Sequence, residues 1–105
     1  PLEKERFLNL LRRVGPKNLI IVSGDRHMGT IAKQDVKGWG TLYDITASGI
    51  NRVSDLDEKD KSYLGDPVKV ENFGLMKIDW TRKKINFELR DASNKVQNSL
   101  ELKIK

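Results

Sequence analysis

The chain has 105 residues, of which 37% are hydrophobic and 33% are charged, and its net charge at pH 7 is +5. This length fits one small domain, and the composition is that of a folded polypeptide rather than a disordered one. The lack of cysteine excludes disulfide bonds and thiolate metal ligands, and no apolar run approaches the ~20 residues of a membrane-spanning helix. Because the sequence starts at Pro1 and enters a helical pattern at once, we expect it to be a piece of a longer polypeptide.

One helix is predicted at the start of the chain, over residues 2–14. Apolar residues recur there at helical spacing, and Gly15-Pro16 ends the pattern because proline cannot continue a helix. A short apolar strand without polar alternation follows over residues 18–23. Such a strand is normally covered on both faces, here by the helix and by later strands or missing chain.

The remainder predicts five further strands, over residues 29–34, 41–47, 68–80, 85–90 and 96–104. Residues 51–67 read as a long polar loop. From Val68 onwards apolar and polar residues alternate, which places Ile85, Phe87 and Leu89 on one face and predicts an antiparallel meander. The predicted fold class is therefore α+β, or one half of a layered sandwich.

Two candidate metal ligands, Asp25 and His27, follow the apolar strand directly after Gly24. In an extended backbone both would point the same way, so a carboxylate oxygen and an imidazole nitrogen would meet just beyond the strand end. Sites form at such ends in α/β sheets, and these atoms suit a divalent or trivalent metal. The alternative is a turn aspartate beside a structural histidine. A metal needs about four ligands or more, so the others would come from outside this chain.

A second candidate segment follows the predicted strand 41–47. If this strand lies beside strand 18–23, then Asn51 and Arg52 come near Asp25 and His27 and can contact a phosphate oxygen, because guanidinium matches phosphate geometry. The alternative is a plain strand end followed by a turn.

The positive charge and the β-rich pattern leave two other functions open. One is a basic nucleic-acid-binding domain that uses the turn Arg82-Lys83-Lys84, although charges of alternating sign favour a solvated surface and make nucleic acid an unexpected partner. The other is a non-catalytic β-rich interaction module, in which Asp25 and His27 are only turn residues.

Three segments of the chain resemble the C-terminal part of alkaline phosphatase D proteins, in the calcineurin-like metallophosphoesterase superfamily. They are Val22–His27, Leu42–Ile50 and Asn72–Trp80, and the resemblance covers residues 2–91. It implies a four-layer α/β/β/α sandwich with a metal centre between two sheets. It also implies hydrolysis of phosphomonoesters or phosphodiesters by metal-activated water.

The resemblance also implies roles for single residues. Asp25 and His27 match metal-binding positions, and Asp25 stands where the wider superfamily has a histidine, which favours calcium there and iron or another transition metal at His27. Thr46, Ser48 and Asn51 match the family's strand-end segment without an assigned role. The family's N-terminal ligands are missing from this sequence, so we expect activity from the longer protein and little or none from this chain alone.

Overall fold

The computed structural model describes residues 2–50 and 60–105. Helix α1 spans Leu2–Val14, as the apolar spacing predicts, and buries Leu8 and Leu11. Acidic residues occupy its first turn and basic residues its last turn, an arrangement that complements the helix dipole. The helix ends because Gly15 adopts a φ of 63° and donates its backbone N–H to the Leu11 carbonyl at 2.8 Å.

Sheet A consists of β1 (Ile20–Ser23), β2 (Gly29–Val36) and β3 (Gly40–Ala47). Their order is β1-β3-β2, with β1 parallel and β2 antiparallel to β3. The prediction that the first strand begins at residue 18 is wrong, because Asn18 has a φ of 59°. Strand β2 continues beyond its predicted end at residue 34, because Asp35 and Val36 also pair with β3.

Sheet B is the predicted antiparallel meander of β4 (Asn72–Asp79), β5 (Lys84–Asp91) and β6 (Val96–Lys103). The prediction that its first strand starts at residue 68 is wrong. Val68 instead pairs with Gly29 of sheet A through two backbone hydrogen bonds, of 2.9 and 2.6 Å. Period-two alternation indicates an extended segment, but it does not indicate which sheet that segment joins.

Two apolar clusters hold the layers together. The larger lies between the sheets and contains five buried residues, Ile31, Ile45, Val68, Phe87 and Leu89. The smaller joins α1 to the other face of sheet A and contains Leu8, Leu11, Val36 and Leu42. Each fully buried side chain of this kind contributes about 1.5–3 kcal/mol. The described residues therefore form an α+β fold in three layers: the helix, sheet A and sheet B.

Strand β1 is only partly covered, against the expectation that both of its faces are buried. Ile20 packs against the cluster between the sheets and Ile21 packs against the cluster under the helix. Val22 is 69% exposed. Among the described strands β1 pairs only with β3, so it lies at the edge of sheet A.

No helix in the described ranges is long and apolar enough to span a membrane.

Candidate metal centre at the ends of β1 and β3

Strands β1 and β3 end side by side, with Ser23 in register with Thr46. Because these strands are parallel, Gly24 after β1 lies beside Ser48 after β3. Ser48 donates both its backbone N–H and its hydroxyl to the Met28 carbonyl, each at 3.2 Å. The two strands are neighbours, which is the condition set for the second candidate segment. The hydrogen bonds from Ser48 extend the antiparallel pairing of β2 with β3 by one residue and so fix the end of the bend.

The segment that carries the two predicted ligands is bent. Asp25 and His27 have φ values of 70° and 55°, a left-handed conformation that is uncommon for residues other than glycine. The expectation of an extended backbone here is therefore wrong, and a shared direction for the two side chains does not follow from their spacing. Asp25 is exposed and His27 is half-buried, whereas Met28 is only 1% exposed and anchors the bend in the core.

A buried asparagine, Asn72, supports the bend from sheet B. Its side chain donates to the Val70 carbonyl at 2.8 Å, and its backbone N–H donates to the Gly49 carbonyl at 3.0 Å. A Cβ on Gly49 would lie 2.5 Å from Asn72 Nδ2, and one on Gly29 would lie 3.0 Å from Asn72 Oδ1. A side chain at position 49 would therefore require Asn72 to shift, and one at position 29 would be in tight contact with it.

A polar cavity of about 320 Å³ adjoins the bend on the face of sheet A that also carries α1. Ser23, Thr46 and Thr30 are cross-strand neighbours and bring a row of hydroxyl groups to it. Asp44 lines the same cavity, and its Oδ1 is buried without a hydrogen-bond partner among the described residues. Arg26 is a further lining residue. Gly24 and Met28 of the bend also line the cavity, whereas Asp25 and His27 do not, so this polar site lies next to the bend and is separate from the two predicted ligands.

Sequence reasoning missed the row of hydroxyl groups, although the sequence contains a signal for it. Asp44 and Thr46 alternate with the buried Ile45, and period-two alternation places the polar pair on one face of β3. Thr30 could not be added from the sequence, because its alignment with Thr46 depends on the register between β2 and β3.

Asp60 contributes negative charge to this cavity. The Ser62 backbone N–H donates to its carboxylate at 2.8 Å, and this hydrogen bond lowers the pKa of Asp60 below its ordinary value. The carboxyl group therefore stays ionised in more acidic solution than an unperturbed aspartate does.

Asp25 and His27 have donor atoms that suit a metal, but two ligands do not complete a site. Among residues 2–50 and 60–105, no group of three or more His, Cys, Asp or Glu side chains is placed to hold a metal ion. Asn51 and Arg52, the predicted phosphate contacts, lie outside the described residues. A metal needs about four ligands or more, so Asp25 and His27 fit such a group only as part of a larger ligand set.

Comparison with known proteins finds no family model and no curated protein that matches this sequence.

Proposed function

We propose that this chain is the C-terminal part of a metal-dependent phosphatase of the alkaline phosphatase D type, in which Asp25 and His27 provide two metal ligands. One observation carries the proposal: two parallel strands end side by side and hold, at their carboxyl edge, a bend with an exposed carboxylate and a half-buried imidazole. The resemblance of the three segments supports the same function.

The described residues would act by holding the ligand bend in place. Ser48 fixes the Met28 carbonyl, and Asn72 packs against Gly49 behind the bend. Metals bound there would activate water for attack on a phosphoric ester. The same proposal includes bound calcium, with iron or another transition metal, and further metal ligands from outside this chain. It also includes the four-layer sandwich and phosphate contacts by Asn51 and Arg52.

A non-catalytic interaction module is the second candidate, and exposed apolar residues favour it. Met76, Ile78 and Trp80 on and after β4 are 48%, 41% and 73% exposed. Exposed apolar surface of this kind marks contacts with other chains when it is contiguous. In the phosphatase proposal, the same surface would contact the remainder of the longer chain.

The unique histidine makes metal binding directly measurable. His27 is the only histidine in the sequence, so its imidazole gives a single set of NMR signals. Titration with Zn²⁺ or Co²⁺ is expected to shift or broaden these signals, and Asp25→Asn is expected to weaken that effect. Asp66→Asn, which removes another exposed carboxylate, is the matched control. Equal metal responses in both variants would exclude Asp25 as a ligand.

Activity is tested in the longer polypeptide that the proposal implies. Loss of one metal ligand, by Asp25→Asn or His27→Gln, is expected to reduce hydrolysis of a chromogenic phosphate ester by at least about 100-fold. Asp66→Asn is expected to leave the rate unchanged. Full activity in both ligand variants would overturn the assignment and favour the interaction module.

A further inference from the structure

A second cavity, of about 510 Å³, lies at the opposite end of sheet A from the ligand bend. It is bordered by the segments that precede β1 and β3 and by the end of β6. The cavity extends along β3 as far as Tyr43, so about 13 Å of strand separates it from Ala47 at the carboxyl edge. The volume falls within the range of about 300–1,000 Å³ that is typical of small-molecule sites.

The charged side chains that line this cavity are all basic. Arg12, Lys17, Lys103 and Lys105 line it, and the described residues around it include no carboxylate side chain. Arg12 donates to the Lys37 carbonyl at 2.6 Å and to Asn9 Oδ1 at 2.8 Å, so neutral acceptors hold the guanidinium in place. Within the described part of the chain, Lys17 and Lys103 have no ion-pair partner. The cavity therefore attracts anions.

Aromatic and aliphatic side chains form the rest of the wall. Trp39 and Tyr43 both line the cavity. The indole Nε1–H of Trp39 donates to the Pro16 carbonyl at 3.0 Å, which fixes the orientation of the ring. Ile85 and Leu102 are also lining residues, and both pack against the core between the sheets. The lining therefore combines aromatic side chains with cations.

We propose that this cavity binds a small organic anion that carries a phosphate group and a flat ring, of the nucleoside monophosphate class. Lysine and arginine supply charge-assisted hydrogen bonds to phosphate oxygens, with Arg12 already oriented. Trp39 and Tyr43 supply the surface on which a base can stack. The site shares no lining residue with the polar cavity beside Asp25 and His27, so the proposal is independent of the metal centre.

The two indole N–H signals in the NMR spectrum provide the test. The chain has two tryptophans, and Trp80, which does not line the cavity, is 73% exposed, so Trp80→Phe assigns the Trp39 signal. Adenosine monophosphate is expected to shift the Trp39 signal in a saturable manner. Adenosine and ribose 5-phosphate, which each lack one half of the ligand, are expected to bind at least about tenfold more weakly. Equal binding of ribose 5-phosphate, or no shift of the Trp39 signal, would overturn the proposal.

Charge reversal provides the second test. Lys17→Glu and Lys103→Glu are each expected to weaken adenosine monophosphate binding by about fivefold or more. Lys4→Glu, on the exposed surface of α1 and outside the cavity lining, is the matched control and is expected to change the affinity by less than about twofold. Circular dichroism verifies that the variants fold. A loss of affinity in Lys4→Glu as large as in Lys103→Glu would show attraction by net charge alone and would contradict a specific site.

His27→Gln, measured with a chelator present, is expected to leave the affinity for adenosine monophosphate unchanged, which separates this cavity from the proposed metal centre.

Discussion

At Gly49 the candidate site depends on the absence of one side-chain carbon. An alanine Cβ there would lie 2.5 Å from the buried Nδ2 of Asn72, and neither group can move freely within the core. We therefore expect Gly49→Ala to lower the free energy of unfolding by about 1–3 kcal/mol, the usual cost of overpacking. Urea denaturation measures the change.

Gly24 provides the matched control for this prediction. It lies at the same edge of the sheet, but a Cβ on Gly24 would have Ser48 Cβ as its nearest neighbour, at an ordinary contact distance of 3.9 Å. Gly24→Ala is expected to change the free energy of unfolding by less than about 0.5 kcal/mol. Equal losses in the two variants would mean that an added methyl group is destabilising anywhere along this edge, and would contradict the role assigned to the contact with Asn72.

The same residues show how far sequence reasoning reaches at this scale. It identified Asp25 and His27 as candidates from their residue types and their place after an apolar strand. It could not predict their left-handed backbone conformation, because the bend is held by the hydrogen bonds from Ser48 and by the buried Met28. Ser48 lies 20 residues from Met28 in the sequence, and the burial of Met28 depends on tertiary packing. Neither contact can be read from the local sequence pattern.

Among the elements, β5 combines an apolar inner face with an ionic outer face. Phe87 and Leu89 are buried in the core, whereas Glu88 accepts hydrogen bonds from Lys77 at 2.9 Å and from Arg90 at 2.8 Å. The hydrogen bond from Lys77 has the larger effect and that from Arg90 the next largest. Together they hold the pKa of Glu88 below its ordinary value of 4.5. The carboxylate form of Glu88 is therefore favoured by folding.

A pH dependence of stability follows from this shift. Because the folded-state pKa of Glu88 lies below the unfolded-state value, its stabilising contribution is fully present above that unfolded value and is lost as the pH falls through the folded one. We expect Glu88→Gln to be less stable than the parent at neutral pH and to lose less stability on acidification. Glu101→Gln, which removes a carboxylate that is 57% exposed, is the control. Parallel pH profiles for Glu88→Gln and the parent protein would contradict the prediction.

Element boundaries were predictable where local patterns determine them and not where pairing does. Helix α1 ends at Gly15 for a local reason, and the alternation of β5 gives its buried face directly. Val68 has the same apolar character as a residue of β4, but its backbone hydrogen bonds are to Gly29 of sheet A. That contact spans a large sequence separation, which periodicity cannot detect.

In the whole molecule, the larger of the two apolar clusters lies between the sheets. Leu89 belongs to this cluster and has no solvent exposure. We expect Leu89→Ala to lower the free energy of unfolding by about 2–5 kcal/mol, because it leaves a cavity between the layers. Leu75→Ala on β4, where the side chain is 36% exposed, should cost much less. Chemical denaturation of both variants distinguishes a loss of core packing from a general loss of β4–β5 contacts.

The exposed side of β4 gives the molecule a surface that favours association. Among the described strands β4 pairs only with β5, and Met76, Ile78 and Trp80 are exposed on or after it. An unpaired edge with apolar side chains is a template for contact with another chain. We expect the 105-residue chain to self-associate at high concentration, and we expect Ile78→Lys to shift the equilibrium to monomer in sedimentation velocity experiments. Leu2→Lys, which changes a residue that is 71% exposed on α1, should have no such effect. Equal shifts in both variants would mean that the contact lies elsewhere or that net charge controls association. The expected difference would locate the contact on β4. In the phosphatase proposal, this surface contacts the rest of the longer chain.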